Sequence, residues 1–345
     1  MKNVVKQVAG IDVAKDELVV SFGKMHDDWT PELCAFKTFA NTVKGYELMF
    51  KWVSKVAEPQ LPVRFVMEAT GVYHEAFAYY LDNNSLEVSI VLPNKISNYA
   101  RSTAKNTVTD KTASEAIMLF GLERKLDRWH KPKKVYRDLR ILTRERSQLI
   151  EERTMLKNQL HAEQIRADSS DQSISRMNKR ITLLNKQLLE IKKELSGAAA
   201  SDQQVKQDLK LLCSLPGVGE LTAATIMGET NGFDLIRNKR QLTSYTGLDV
   251  REKQSGTSVK GKPRISKKGN RHLRKAMHMP ALSAIKKDDR FKTVFTRLVS
   301  KHGIKMKAAV AVQRKLLEMA YTIFKTQKPY DENYFINQGT ALQKN

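Results

Sequence analysis

The sequence predicts a mixed α/β unit at the N-terminus, then a long helical hairpin, then a mostly α-helical C-terminal unit. Three observations support this order. Strand-length apolar runs alternate with helical patterns up to about residue 125. Residues 133–196 contain no glycine or proline, which is typical of long helices. Beyond them, glycine-bounded helical patterns enclose one very basic segment. The predicted boundaries are 1–130, 131–200 and 201–330, with a tail at 331–345.

The first unit begins with a predicted β-hairpin. An apolar run that ends in Gly-Ile-Asp-Val-Ala-Lys, residues 10–15, is followed by a second apolar run at 18–22. The later elements are strands at 34–39, 63–67 and 87–92, and helices at 42–56, at 73–81 and from residue 110. The resulting order, β-β-β-α-β-α-β-α, is that of a ribonuclease-H-like sheet.

Three carboxylates stand at the ends of these elements. Asp12 ends the first strand, Glu68 follows the run at 63–67, and Asp110 begins a helical pattern. Any one of them could be a turn residue or a helix cap. Together, in so basic a chain, they predict a Mg²⁺ site, because Mg²⁺ prefers hard oxygen ligands.

The loop predicted at 101–111 adds three cations beside these acids. They are Arg101, Lys105 and Lys111. Either they are solvated surface residues or they contact phosphates next to the metal, and adjacency to Asp110 favours the second reading.

Charge and composition narrow the class of protein. Lys and Arg number 60 against 37 Asp and Glu, which gives a net charge of +23 and implies a polyanionic partner, nucleic acid by default. No apolar run approaches the roughly 20 residues of a membrane-spanning helix, and no signal peptide is recognisable. Cys34 and Cys213 match no zinc spacing. We expect a reduced cytoplasmic protein without disulfides or a membrane partner.

The glycine-free segment carries two heptad seams, which predict a coiled-coil hairpin with a polar turn at 167–171. The first seam contains Leu139, Leu142, Arg146, Leu149, Arg153, Leu156 and Leu160. The second is apolar throughout, with Ile174, Met177, Ile181, Leu184, Leu188, Ile191 and Leu195. The second seam therefore needs a partner, which is either the first helix or another subunit. A small, polar linker is predicted at 197–201.

The C-terminal unit contains two candidate nucleic-acid contacts. Leu-Pro-Gly-Val-Gly at 215–219 resembles a helix-hairpin-helix turn, in which Gly217 and Gly219 let backbone N–H groups face a phosphate. The segment 251–275 holds ten Lys or Arg against one acid, and its glycines predict that its first part is a loop. Either it is a solvated charge run or it binds nucleic acid, and we favour binding. Its candidate contacts are Arg251, Lys253, Lys260, Lys262, Arg264, Lys267, Lys268, Arg271 and Arg274.

These motifs resemble one transposase family over nearly the whole chain. Residues 10–15, Met-Glu-Ala-Thr-Gly-Val-Tyr at 67–73 and Thr-Asp-Lys at 109–111 resemble the RuvC-like DEDD domain of the "one-ten" insertion-sequence family. Leu-Pro-Gly-Val-Gly, Tyr-Thr-Gly-Leu at 245–248, Ser-Gly at 255–256 and the segment 265–270 resemble its second domain. Members are DNA recombinases, and some are guided by a structured RNA of the element. We expect this protein to be a dimer or a tetramer, because recombination must hold two DNA partners and the heptad seam offers a surface.

The resemblance implies roles for individual residues. Asp12, Glu68 and Asp110 would bind the metal, and Ser255 would be the nucleophile, with Ser258 in the same loop as the alternative. The family pattern places a fourth carboxylate where this chain has Ala113. Ser114 or Asp16 could take part instead, and the site could hold one metal ion rather than two.

Three functions remain open from the sequence. The first is a DNA transposase that cuts and rejoins strands through a serine-linked intermediate. The second is a structure-specific endonuclease of the junction-resolvase type, which would use the acids alone. The third is a nucleic-acid-binding protein without catalysis, which the missing acid at Ala113 would explain.

Overall fold

The computed structural model describes residues 2–69, 71–102, 109–234, 236–252, 254–255, 259–261 and 263–331. The chain divides into two compact units, Met1–Lys131 and Pro132–Asn345. The first unit ends one residue after the boundary predicted at 130, and the predicted arm belongs to the second unit. No helix in the described ranges is long and apolar enough to cross a membrane.

A five-stranded sheet forms the centre of the first unit. Its strands are β1 (Val4–Val13), β2 (Glu17–His26), β3 (Pro31–Ala40), β4 (Val63–Glu68) and β5 (Glu87–Val91). Their order across the sheet is β3-β2-β1-β4-β5. The first three strands are antiparallel, while β4 runs parallel to β1 and β5 runs parallel to β4. This arrangement agrees with the predicted ribonuclease-H-like sheet.

Helices cover both faces of this sheet. They are α1 (Val43–Val56), α2 (Glu75–Asn83), α3 (Pro93–Ser102) and α4 (Asp110–Glu123). Successive strand residues point to opposite faces. Ala9 and Ile11 therefore pack with α1 and α2 in one core, while Val8 packs with α3 and α4 in another. We call these the α1 face and the α4 face.

Helix α3 was not predicted. The sequence interpretation took Pro93 as the end of a strand, but proline is also favoured at the first position of a helix, which it occupies here. The predicted loop at 101–111 is therefore wrong at both ends. Arg101 lies in the last turn of α3, and Asp110 and Lys111 are already in α4.

The second unit is mostly helical. Its helices are α5 (Lys134–Ile165), α6 (Asp171–Ala200), α7 (Gln203–Leu212), α8 (Glu220–Thr230), α9 (Lys239–Thr246), α10 (Arg271–Ala276), α11 (His278–Lys287), α12 (Asp289–His302) and α13 (Lys305–Thr326). One apolar core joins the start of α5 and the end of α6 to the shorter helices. Helix α12 ends before Gly303, whose φ of +69° suits a left-handed helix end.

The two long helices pack against each other as a hairpin. Their seam positions are covered within the chain, with Leu156 and Leu184 both buried. Arg153 of the first seam donates from Nη1 to Asn185 Oδ1 at 2.8 Å. The first helix is thus the partner that the second seam needs, and association of subunits stays a prediction. The linker predicted at 197–201 is wrong, since α6 continues to Ala200 and alanine is the best helix former.

We predicted the first part of the basic segment as a loop, but the segment includes short strands. It contains β6 (Val250–Arg251), β7 (Gln254–Ser255), β8 (Val259–Lys260) and β9 (Arg264–Ile265). Strand β6 pairs with β9 and β7 pairs with β8, both antiparallel. The tail predicted at 331–345 lies outside the described residues after Asp331.

Candidate active site

Asp12 and Glu68 lie on neighbouring parallel strands at the same level. In the register of β1 and β4, Ile11 is opposite Met67, and the two acids are the next residues along. Both lie on the α4 face, because Val66, two residues before Glu68, packs with α4. Their placement at adjacent strand ends agrees with the prediction.

Helix α4 crosses this face antiparallel to β1. A Cβ on Gly10 would lie 2.2 Å from Met118 N, and a Cβ on Gly121 would lie 2.8 Å from Val8 Cγ1. Residues late in α4 contact residues early in β1, so the N-terminus of α4 points toward Asp12. Asp110 is the first residue of that helix. Gly10 is needed here because any side chain would push α4 off the strand.

Asp110 is not required as a helix cap. Thr109 Oγ1 accepts from Thr112 N at 3.2 Å, and Thr109 N donates to Thr112 Oγ1 at 2.8 Å. This reciprocal capping box satisfies the helix start. The bland interpretation of Asp110 as a cap is therefore weakened, and its carboxylate is exposed at the helix terminus.

Asp12 is influenced electrostatically by the other two acids. Burial is the largest cause, followed by the negative charges of Asp110 and Glu68, and together they raise the pKa of Asp12 to about 6. A carboxylate that is partly buried beside two others is destabilised in its charged form until a cation or a proton arrives. The residues thus fit a divalent metal in ligand type and in charge.

Their geometry in this structure is looser than a coordination shell. Among the described residues, no group of three His, Cys, Asp or Glu side chains is placed to hold a metal ion. Ala113, in the fourth position of the family pattern, supplies no ligand. Ser114 does not replace it, because its buried hydroxyl bonds to Ser21 Oγ at 2.8 Å and donates to Lys111 O at 2.9 Å. Asp16 is exposed in the β1–β2 turn.

The cations predicted beside the acids lie in different environments. Arg101 is exposed at the end of α3, and Lys105 lies outside the described residues. Lys111 is exposed, and its Nζ lies 5.2 Å from the centroid of the Phe36 ring. A cation over an aromatic face remains accessible to a phosphate.

Ser255 ends a short hairpin strand. It pairs with Val259, so it is the last paired residue before 256–258. Those three residues, Ser258 among them, lie outside the described part of the chain, as does the side chain of Ser255. Ser266 is another serine of the basic segment, and its hydroxyl already donates a hydrogen bond to Asp249 Oδ1 at 2.5 Å. The assignment of the nucleophile stays a prediction.

Two arginines of the basic segment face each other. Arg251 of β6 is directly opposite Arg264 of β9, and both are exposed. Like charges in opposite positions destabilise a strand pair unless an anion lies between them. The pair is therefore the clearest candidate for a phosphate contact in this unit.

The remaining cations of the segment fall into three groups. Exposed cations are Lys267, Lys268 and Arg271. Arg274 already donates from Nη1 to Thr246 O at 2.7 Å, so a phosphate would share its remaining N–H groups. Lys253, Lys262 and the side chain of Lys260 lie outside the described residues.

The predicted helix-hairpin-helix turn joins α7 to α8. Gly217 has a φ of +81°, and a Cβ there would lie 2.5 Å from Pro280 O, so packing already explains this glycine. Gly219 is the exposed N-cap of α8 and has open space around its Cα. Only Gly219 leaves a helix N-terminus accessible to an anion. Its role in binding stays a prediction.

A buried ionic network in the second unit was missed by sequence analysis. Glu229 of α8 accepts from Arg144 Nε at 2.7 Å and Nη2 at 2.8 Å, and from Asn270 Nδ2 at 2.6 Å. Its backbone oxygen accepts from Tyr245 OH at 2.7 Å. The signal was an acid in the last turn of a helix whose middle is mostly apolar, since a buried acid requires partners. The network ties Tyr245 and Asn270, both in family-like motifs, to α5 and α8.

Comparison with known protein families covers both units. A model described as "Transposase", for the DEDD domain of IS110 elements, matches residues 9–163. A second model, "Transposase IS116/IS110/IS902 family", matches residues 209–296. The two matches follow the order of the predicted domains. The chain belongs to the IS110 family of transposases.

Curated relatives of this transposase match it from end to end. The "Pilin gene-inverting protein" of Moraxella bovis is 28% identical over 333 residues, which cover 95% of this chain and 98% of the relative. The "Transposase for insertion sequence element IS1111A" of Coxiella burnetii is 22% identical, covering 94% and 91%. These relatives support a DNA recombination enzyme.

Part of the chain is similar to the solved structure of T. thermophilus RuvC in complex with Holliday junction substrate. The match covers 36% of this chain and 99% of the RuvC chain, with 9% identity and a TM-score of 0.27.

Proposed function

We propose that this transposase cuts and rejoins DNA at the ends of a mobile element through a covalent serine intermediate. The observation that carries the proposal is the grouping of Asp12, Glu68 and Asp110, in which burial and two neighbouring acids raise the pKa of Asp12 to about 6. Acids held together against their mutual repulsion are typical of functional sites. The resemblance to the family implies that a serine is the nucleophile.

The chemistry divides between the two units. Ser255 Oγ attacks a DNA phosphorus, so the Oγ–P bond forms and the bond from phosphorus to one sugar oxygen breaks. The serine proton passes to a carboxylate of the acidic group, and the departing oxygen takes up a proton. A hydroxyl of the second strand later attacks the phosphoserine and releases Ser255. The ester conserves bond energy, so rejoining needs no nucleotide cofactor.

Charged residues support this reaction from both sides. Arg251 and Arg264 stabilise negative charge on the non-bridging oxygens. A divalent cation such as Mg²⁺, held by Asp12, Glu68 and Asp110, would supply charge stabilisation at the departing oxygen.

Two partners belong to the same proposal. A structured RNA of the element would direct the choice of DNA, and the net charge of +23 provides the attraction for both polyanions. The protein would act as a homo-oligomer, a dimer or a tetramer, because two DNA partners must be held at once.

One assay separates the three functions that the sequence left open. Supercoiled DNA with the element ends is incubated with protein, Mg²⁺ and the element's transcript. Rejoined product supports the transposase, free nicks alone support the endonuclease, and a gel shift alone supports the non-catalytic binder.

The nucleophile is tested by a matched pair of variants. Ser255→Ala should bind DNA but form no covalent adduct on a denaturing gel, whereas Ser258→Ala should form it. The opposite result would place the nucleophile at Ser258. If neither change matters, the serine mechanism is wrong and the endonuclease becomes the better explanation.

A further inference from the structure

A basic groove runs between β3 and α1 on the α1 face of the sheet, opposite the face that carries the acids. It measures about 500 Å³. Lys37 of β3 and Lys44, Lys51 and Lys55 of α1 line it, and we call it the lysine groove. Its lining contains no Asp or Glu.

The three helix lysines form one stripe. At 100° per residue, positions 44, 51 and 55 fall within about 40° of one another on α1. Glu47 lies outside the lining, although by the same geometry it is only about 40° from Lys51. Within the described ranges, no lysine of the groove forms an ion pair with a carboxylate. Four lysines therefore line one groove whose lining contains no carboxylate.

The N-terminus of α1 opens into the same groove. Thr42 caps the helix, and its first turn has no acidic residue. Gly45 lies directly against the end of β3, since a Cβ there would be 2.0 Å from Ala40 O. The partial positive charge of a helix N-terminus favours an anion, so it reinforces the lysines.

Apolar side chains form the floor of the groove. They are Phe39, Leu48 and Trp52. Phe39 and Trp52 lie with ring centroids 5.6 Å apart, and Trp52 remains partly exposed. Grooves that bind single-stranded nucleic acid combine cations for the backbone with aromatic rings for the bases.

We propose that the lysine groove binds single-stranded nucleic acid. Charge complementarity selects a polyanion. A second copy of this chain is disfavoured at the edge of β3, because two-fold pairing would place four lysines against four lysines. The inference rests on this groove and not on the serine chemistry, so a strand-transfer defect would leave it intact.

The first test is lysine acetylation of full-length Ser255→Ala protein, read by mass spectrometry. Short oligothymidine and oligouridine should protect Lys37, Lys44, Lys51 and Lys55 more than the exposed Lys125, Lys206 and Lys315. Protection by both oligomers supports the proposal and shows that the groove accepts both DNA and RNA strands. Protection by oligouridine alone supports the proposal and identifies RNA as the ligand. Equal protection by duplex DNA or by polyglutamate would overturn it.

The second test removes the stripe. In the triple variant Lys44→Gln, Lys51→Gln, Lys55→Gln, the slope of log affinity against log salt for single strands should fall by about 2, at about 0.7 per lost phosphate contact. The control triple variant Lys125→Gln, Lys206→Gln, Lys315→Gln removes the same charge and should keep the slope. Equal slopes in the two variants would overturn the proposal. Circular dichroism confirms that both fold.

Discussion

A buried and a partly buried carboxylate of this transposase, Glu229 and Asp12, have opposite surroundings. Glu229 is 3% exposed, and although burial alone would raise its pKa, hydrogen bonds from Arg144 and Asn270 hold the pKa below its usual value. Asp12 has acids as neighbours instead, and its pKa is raised to about 6. The environment, not the residue type, thus separates a carboxylate that holds the fold together from one that is available for chemistry.

This difference has a direct structural consequence. The Glu229 network joins α5, α8, α9 and the loop before α10 through satisfied hydrogen bonds. The Asp12 cluster joins β1, β4 and α4 through backbone packing, with Gly10 under Met118, while its charges repel one another. Neutralising Glu229 should therefore lower the free energy of unfolding, whereas neutralising Asp12 should raise it.

The largest expected effect is on activity. Asp12→Asn should reduce strand transfer by at least about a hundredfold, because it removes a positioned catalytic group. DNA binding should persist, since the substitution removes none of the cations that are predicted to contact phosphates. Adduct formation on a denaturing gel measures the loss, and Glu17→Gln, at an exposed position of β2, is the control. Strand exchange by Asp12→Asn at the wild-type rate would contradict the assignment.

The same variant should gain stability at neutral pH. At about pH 3 and below, Asp12 is protonated in both the folded and the unfolded chain, so its ionisation does not affect stability. As the pH rises through 3.8 toward 6, the unfolded chain ionises while the folded state resists ionisation, so the wild type loses stability that the asparagine variant keeps. With allowance for solvent screening, we expect a difference of about 1–2 kcal/mol at pH 7 and almost none at about pH 3.

Tryptophan fluorescence suits this measurement, because Trp29, Trp52 and Trp129 all belong to the first unit. Urea unfolding followed at both pH values gives the two free energies. Added Mg²⁺ should stabilise the wild type and not the variant. A variant that is less stable than the wild type at pH 7 would show that Asp12 is a structural residue like Glu229.

The second effect concerns Glu229. Glu229→Gln keeps the shape of the side chain but leaves Arg144 without its counter-charge. Because the Arg144 side chain is 43% exposed and can reach water, we expect a loss of about 2 kcal/mol, below the usual cost of breaking a fully buried pair. Hydrogen exchange around α8 and Tyr245 measures it.

A matched control is available at the surface. Glu151 and Lys275 form an exposed pair, with side chains 67% and 61% accessible, so Glu151→Gln should leave stability unchanged. If the two variants unfold alike, the Glu229 network is not the structural anchor that its geometry indicates.

Sequence patterns predicted the parts of this chain that depend on local order. The five strands and the carboxylates at their ends follow from apolar runs of strand length, and the sheet then brings Asp12 beside Glu68. Helix α4 could be predicted only from its start at Asp110. Its direction across β1 depends on Gly10 and Gly121, whose role is visible only when strand and helix are in contact.

The wrong or missing predictions concern long-range contacts, or residues that are compatible with two kinds of element. Pro93 ends a strand and also starts α3, and sequence alone favoured the first. The alanines at the end of α6 read as a linker although they continue the helix. Arg144 and Glu229 are 85 residues apart, so no local pattern joins them. The predicted nucleophile, Ser255, was assigned from family resemblance, because strands of two residues have no strong sequence signal.

The smallest expected effect lies at the arginine pair of the basic segment, where like charges meet as they do at Asp12. Arg251→Gln should lower the slope of log affinity against log salt for duplex DNA by about 0.9, the value for one phosphate contact. Because it also relieves repulsion from Arg264, the free protein should become slightly more stable, by a few tenths of a kcal/mol. Arg297→Gln, on the exposed side of α12, is the control and should change neither quantity. Fluorescence anisotropy over a salt series gives the slopes. If Arg251→Gln keeps the wild-type slope, the paired arginines do not bind phosphate, and the exposed Lys267, Lys268 and Arg271 become the residues to test next.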